Sequence, residues 1–393
     1  QLTRASYRLA WTPRSISPWS APPADVAARG WKDRVPIFGW WAMRREVAAH
    51  GRGFWVRPML LELGTGIAFA ALYYLETERL ILWPMDAGIP APDPSILHTQ
   101  FLAHVVLVSL MIVATFIDLD EQTIPDEITV PGTVVGLLFA ACLPAVCLPS
   151  LHNVPGPFEQ VLGPVDAHSL VLTATTTNVD WLGGLGGPYS WPASLNGSAG
   201  IWAGLVGIWG WCVALMGLTW TSRRGVFKAF QYAAVSFLRR KPWGLLLLGA
   251  TLSVGLVIVW FEGATRWQSL LSSVCGMCFG GGVIWGVRIV GGHALRTEAM
   301  GFGDVTLMAM IGAFLGWQAT LLIFFMAPFT ALAVAAMQFL LNGNRHIAFG
   351  PYLCLATVIL LLFWDALWYG WAAPLFALGW YIPAILIVCL VLM

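Results

Sequence analysis

Charged residues are scarce in this sequence. Only 10% of its 393 positions are Asp, Glu, Lys or Arg, against about 25% in soluble domains, which excludes a water-soluble domain of ordinary composition. The 21 basic residues nearly cancel the 20 acidic ones. No basic cluster is interleaved with aromatics, so no nucleic-acid partner is expected. Cysteine is also sparse. All seven, at 142, 147, 212, 275, 278, 354 and 389, fall in apolar runs, and none precedes Cys142. Cys275 and Cys278 form a CxxC inside an apolar run without partner histidines, so the cysteines read as small packing residues rather than metal or redox groups. An initiator Met and a signal-peptide pattern are absent at Gln1, so the numbered chain is expected to lack its true start.

What the chain has instead is apolar length. Hydrophobic residues make up 58% of it, including 22 tryptophans. Crossing a bilayer as a helix takes about 20 apolar residues, and many such runs occur. The expectation is an all-α polytopic membrane protein with about ten transmembrane helices, near 58–76, 97–117, 128–149, 199–219, 244–261, 270–290, 304–316, 319–341, 353–370 and 373–392. The seventh is short, and the Gly316–Trp317 corner is expected to turn it into the eighth. No internal repeat stands out.

Loop charge orients these spans, because Lys and Arg collect on the cytoplasmic side. Residues 1–57 hold ten of them, and 220–243 hold six more. Arg288, Arg296 and Arg345 lie in loops of the same parity, and only Arg79 and Arg266 fall on the other side. A cytoplasmic N-terminal segment therefore places nearly all basic residues inside. The loop 150–198, rich in Gly, Pro, Ser and Thr and free of Lys and Arg, lands outside. The basic loop 220–243 reads as a positive-inside anchor, with anionic lipid headgroups as a possible contact.

Two acidic positions then fall on the same membrane border. In "TFIDLDEQTIPDEITVPG", residues 115–132, Asp118 ends the second span and Ile124–Pro125 breaks the chain before the third. In "EAMGFGDVTLMAMIGAFLGW", residues 298–317, Asp304 stands at the mouth of an apolar helix behind Gly301 and Gly303. Ionisable groups at membrane depth are costly and usually functional. Two neighbouring carboxylates cannot both ionise cheaply, so one keeps a proton while the other acts as base. A water held between them could be activated against a peptide carbonyl. Gly301 and Gly303, lacking Cβ atoms, would let backbone approach a substrate strand. The helix beginning near Asp304 would present free N–H groups and the positive end of its dipole. Taken singly, Asp304 reads equally well as an N-cap and Asp118 as a solvated boundary residue.

Together the two stretches, FIDLDxxxIPDxxTxPG and then EAMGFGDxxLMAxIGAFLGW, resemble the type IV prepilin peptidase family of bacterial intramembrane aspartic proteases. The resemblance implies that Asp118, seven residues before Pro125, and Asp304 of the GxGD pattern are catalytic. Asp120, Asp126 and Glu127 would be supportive or solvated, and Glu298 would stand behind the site. "KDRVPIFGWWAMRRE" (32–46), "RPMLLELGTG" (57–66, with Glu62) and "FGPYL" (349–353) are similar to other family segments. "SYRLA" (6–10) looks like one that normally follows a first transmembrane helix, which implies a missing N-terminal span.

The resemblance further implies a prepilin or pseudopilin precursor as substrate, with a short basic leader cleaved after a Gly at the cytoplasmic border of the bacterial inner membrane. Proteolysis of this kind needs no cofactor. Many members also N-methylate the product with S-adenosylmethionine, and carry two CxxC pairs in the cytoplasmic segment as a zinc site. Here that segment reads "RREVAAHGRGFWVRP". His50 alone cannot supply four ligands, so no metal is expected, and methylation is left open. Thr306 stands where the family has Lys. On this reading residues 1–57 are a degenerate cytoplasmic segment and 58–149 carry the first aspartate. Residues 150–268 are an inserted loop with two extra spans, and 269–393 carry GxGD. A non-catalytic scaffold derived from the family and an ion- or proton-coupled transporter are the alternatives. A transporter would place its carboxylates near the bilayer midplane within inverted repeats.

Overall fold

A computed structural model describes residues 16–22, 26–83, 92–146, 148–150, 172–173, 178–180, 184–186, 193–217, 235–236, 242–295, 300–341, 349–372 and 388. Its principal elements are nine helices: α1 (Val56–Tyr73), α2 (Pro94–Glu121), α3 (Asp126–Cys142), α4 (Ser198–Leu215), α5 (Trp243–Glu262), α6 (Ala264–Leu295), α7 (Phe302–Leu315), α8 (Trp317–Leu341) and α9 (Gly350–Leu362). Two short antiparallel pairs, Pro149–Ser150 with Leu172–Thr173 and Asn178–Asp180 with Gly184–Gly186, lie in the stretch between α3 and α4. The expected multi-pass helical membrane architecture is present. Among the described residues, six helices are long and apolar enough to cross a bilayer, and a seventh span results if the bent pair Gly350–Leu362 and Trp364–Ala372 counts as one. Apart from residue 388, the expected span at 373–392 lies outside the described residues, as do the basic residues of 220–243.

Helix ends follow local chemistry. Asp93 caps α2, its side chain accepting from the Ser95 N–H at 2.8 Å, with Pro94 in the first turn. Helix α2 closes at Gln122, which adopts a left-handed conformation (φ 53°). Helix α3 stops at Cys142 rather than near 149, because Leu143 precedes Pro144 and a residue before proline is pushed out of the helical region. Helix α7 ends at Gly316, where φ is +84°. The next residue, Trp317, starts α8, so the expected corner is there, and it needs glycine's left-handed freedom.

Helix α7 is the hub. Every residue from Asp304 to Leu315 is buried. Helix α6 packs on it backbone to backbone: a Cβ added at Gly276 would collide with the Gly312 carbonyl, and one at Gly312 with the Gly276 carbonyl. Such close approach of small residues is how helices associate where lipid removes the hydrophobic drive. On the other side Gly132 and Gly136 of α3 admit Met310, Ala313 and Phe314. At the far end of α1 a π-turn, Tyr74–Glu78, turns Glu76 inward onto His104 of α2 at 2.8 Å.

The segment before α1 folds as short helical turns around Ile16, Trp40, Met43 and Phe54. Ion pairs hold it. Arg29 grips Glu46 through two contacts (2.9 and 2.5 Å), both side chains buried, and His50 adds a third contact to Glu46 at 3.1 Å. Arg45 grips Asp33 (2.9 and 2.7 Å). Glu62 of α1 ties the segment down, accepting from the Ile37 N–H at 2.7 Å and the Trp40 indole at 2.9 Å. The Arg45 hydrogen bonds hold the Asp33 carboxyl below its ordinary range. Burial opposes ionisation of Glu46, but Arg29 and His50 outweigh it, so its pKa is lowered too.

Both acids therefore titrate lower folded than unfolded. Their contribution is full above the unfolded carboxyl range, about pH 4, and is lost as pH falls through the folded values. Hydrogen exchange across 29–50 should rise below about pH 4 before it rises in α7. Arg29→Ala, which leaves Glu46 buried and unpaired, should open the segment to limited proteolysis far more than Arg45→Ala, whose side chain is 39% exposed.

Candidate active site

Asp118 sits on the last turn of α2, on the face that also buries Ala114 and Ile117. Asp304 lies in the first turn of α7, with Gly301 as the N-cap. Asp304 is therefore not the capping residue itself. From the third helical position its carboxylate accepts from the Gly301 N–H, one half of a capping box. Asp118 accepts from the Gly350 N–H at the start of α9. Both aspartates are more than nine-tenths buried. They are charge neighbours: Asp118 acts directly on Asp304, and the Cys354 thiol of α9 lies in the field of both. Residues 186 apart in the chain thus meet at one end of the bundle.

The link between α2 and α3 explains how. After Gln122 the chain runs extended through Ile124 and Pro125. Ile124 enters a notch between two glycines. A Cβ at Gly303 would stand 2.8 Å from the Ile124 Cβ and 2.9 Å from its carbonyl oxygen. A Cβ at Gly350 would stand 2.7 Å from the Ile124 Cδ1 and 2.7 Å from the Asp118 Oδ2. Gly303 is thus filled by the protein's own chain, whereas the expected role was approach to a substrate strand. Among the described residues Gly301 has looser surroundings: a Cβ there would have the Asp304 Oδ2 at 3.6 Å as its nearest neighbour. Pro125 is the N-cap residue of α3, its carbonyl accepting from the Ile128 N–H at 3.1 Å. Glu298 lies outside the described residues.

Three groups that the motifs left in the background belong to the same corner. Thr306 is buried and accepts from the Thr129 hydroxyl at 2.9 Å. Its own proton has the Gly303 carbonyl at 3.1 Å and the Asp126 Oδ1 at 3.4 Å as acceptors. Where a long cation was expected from the resemblance, a short hydroxyl thus stitches the first turn of α7 to the first turn of α3. The available signal was the Asp126–Thr129 spacing, which puts both on one helix face. Asp120 pairs with Arg57 of α1 (2.8 and 2.9 Å), locking the end of α2 to the N-terminal segment's end of the bundle. Arg288 donates to the Met300 carbonyl at 3.1 Å and lies over the Phe302 ring, holding the approach to α7.

Zinc does not fit the N-terminal segment. A structural site takes four ligands. The segment has no thiol, and His50 Nε2 already faces Glu46.

Residues 105–186 and 242–336 match the model of the type IV leader peptidase family. Both aspartates fall inside the matched segments, and 187–241, with all of α4, lies between them. Similar curated proteins include prepilin leader peptidase/N-methyltransferases. The one from Aeromonas hydrophila is 33% identical over 136 residues, 32% of this chain and 41% of the relative. The one from Myxococcus xanthus is 31% identical over 125 residues, 32% of each. The one from Klebsiella pneumoniae is 29% identical over 126 residues, 32% of this chain and 46% of the relative. The chain thus spans less than half the length of these relatives. No solved structure matches it.

The three glycines should not respond alike to a methyl group. Gly303→Ala and Gly350→Ala force Ile124 out of its notch and should cost about 1–3 kcal/mol, read as a lower Tm in detergent. Gly301→Ala should leave Tm unchanged.

Proposed function

We infer that this chain belongs to the type IV leader peptidase family, whose model matches 105–186 and 242–336, and from this we infer its activity. It acts as an intramembrane aspartic endopeptidase that removes the basic leader from a type IV prepilin or pseudopilin precursor at the cytoplasmic border of the bacterial inner membrane. The observation that carries this reading is the pair of buried, mutually interacting carboxylates at one end of the bundle, Asp118 on α2 and Asp304 on α7.

In the reaction, one carboxylate is ionised and removes a proton from a water lying between the two. The water oxygen bonds to the carbonyl carbon of the scissile peptide, while the protonated partner donates to the carbonyl oxygen. Collapse of the tetrahedral species breaks the C–N bond, and the nitrogen leaves with a proton returned from the dyad. The Gly301 and Gly350 N–H groups hold the two carboxylates in place throughout. The scissile bond must be extended, since a helical peptide bond is shielded. Non-helical backbone is tolerated at that depth where protein or water satisfies it, and the extended link at Ile124–Pro125 is such a place. The cytoplasmic assignment of this end rests on the concentration of Lys and Arg in the N-terminal segment, which Arg57–Asp120 joins to α2.

Methyl transfer, the second activity in the relatives' names, is a separate reaction. S-adenosylmethionine would be its methyl donor, and labelled donor incubated with a cleaved precursor tests whether this chain performs it.

Asp118→Asn and Asp304→Asn should each reduce conversion of precursor to its leaderless form by at least about 10²–10⁴-fold, scored by gel shift after co-expression. Cleavage at the parental rate in either variant would overturn the peptidase reading.

A further inference from the structure

The segment before α1 sorts its cations into two sets. Arg29 and Arg45 turn toward Glu46 and Asp33, which are buried and are the only acids among its described residues. Lys32, Arg34 and Arg44 are exposed and meet no carboxylate among the described residues. Each stands instead over an indole: Lys32 over Trp31 (5.9 Å to the ring centroid), Arg34 over Trp19 (4.8 Å) and Arg44 over Trp41 (4.2 Å). The rings are uncovered too. Trp19 and Trp31 are each 72% exposed, Phe38 69% and Trp41 50%. The fold holds them there. Arg29 donates to the carbonyls of Ser17 (2.7 Å) and Ser20 (2.9 Å), which pins the loop that presents Trp19. A concentration of large exposed aromatics marks a contact surface, and the cations beside these rings are uncompensated.

A second observation gives the depth of this surface. Glu62 accepts from the Ile37 N–H and the Trp40 indole. The turn Phe38–Ala42 is therefore held against α1 near its seventh residue, about 9 Å along the helix from Val56. Around that height α1 presents Leu60, Leu63 and Ile67 outward, all exposed and at the spacing of one helix face. The helix is long and apolar enough to cross a bilayer. The medium that covers Leu60 and Leu63 thus also reaches Phe38 and Trp41. At the boundary of acyl chains and headgroups, Trp rings are favoured, and Lys and Arg extend from apolar surroundings to the phosphates. A guanidinium stacked on a ring keeps its N–H edge free for phosphate oxygens.

We propose that the three Trp–cation pairs, Trp19 with Arg34, Trp31 with Lys32 and Trp41 with Arg44, sit in the headgroup layer of the adjoining leaflet and bind anionic phospholipid. On the orientation inferred above this is the cytoplasmic leaflet. The same pairs would repel a basic leader. The lipid contact also sets the depth of the aspartates, because Arg57–Asp120 ties the end of the segment to the last turn of α2, which carries Asp118.

Two measurements on the full chain test this. The first uses nanodiscs of phosphatidylcholine and phosphatidylglycerol in equal amounts, with a photoactivatable headgroup on one lipid or the other. Labelled phosphatidylglycerol should mark peptides covering 16–22 and 31–44 at least about fivefold more than labelled phosphatidylcholine. The excess should vanish in the Lys32→Gln/Arg34→Gln/Arg44→Gln variant, and in about 1 M salt, where screening is nearly complete. Equal marking by the two lipids, or no marking of these peptides, would overturn the lipid site. The variant should keep the parental Tm in detergent. A lowered Tm would mean that the three cations brace the segment instead. The second measurement is limited digestion with chymotrypsin, which cuts after Trp and Phe. Cleavage after Trp19, Trp31 and Trp41 should be slower in discs containing phosphatidylglycerol than in detergent, again by about fivefold or more. Cleavage as fast in the discs as in detergent would show a face open to a soluble partner and would exclude the bilayer. Neither readout depends on precursor cleavage, so this lipid site and the peptidase reading fail separately.

Discussion

The wedge of Ile124 between Gly303 and Gly350 is the constraint on which the rest of the site depends. It joins three helices that are remote in sequence: the end of α2, the start of α7 and the start of α9. Without a Cβ at either glycine, the extended link can lie flat against both helix starts. The N–H of Gly350 then reaches Asp118, and the first turn of α7 brings Asp304 beside it. The carboxylates meet because backbone packs on backbone, not because they attract one another. Two buried like charges would, if anything, drive the helices apart.

That corner is held against a stiff support. Helix α7 is enclosed along its length, and its glycine contacts with α6 leave almost no freedom to slide. Dense interiors of this kind transmit a displacement rather than absorb it. The Thr129–Thr306 hydrogen bond and the Arg57–Asp120 ion pair add polar ties at the same end. The N-terminal segment joins this end through Glu62 and Arg57, and its own turns are organised by Arg29–Glu46 and Arg45–Asp33. Charge is scarce in this protein, and much of what exists in the described residues is used to fix one short segment to the mouth of the site.

Local chemistry made part of this legible in advance. The break at Ile124–Pro125, the turn at Gly316 and the cap at Asp93 each depend on one or two residues and their neighbours, so they could be read directly. Asp118 and Asp304 stood out because a carboxylate in an apolar run has few cheap explanations. Gly303 has Ile124 of the protein's own chain as its close neighbour, where the sequence reading expects a substrate strand. A glycine announces that something comes close, but not what. Thr306 looked like a loss of charge, and its three neighbours make it a link between helices. Gly301, the twin of Gly303 in the motif, meets no such close neighbour among the described residues, a difference no spacing pattern contains.

By itself the sequence determined the solvent and the secondary structure. Long apolar runs with little charge must be helices in lipid, because backbone groups there need partners within the segment. Loop charge then led to the expectation that both aspartates share one membrane border. Tertiary structure alone decided that Ile124 fills the Gly303 notch and that ion pairs organise the N-terminal segment. The reason is one of range. Hydrophobic runs, caps and turns are set by residues a few positions apart. Which glycine faces which side chain across 180 residues depends on how whole helices pack, and shape complementarity leaves no periodic trace in the chain.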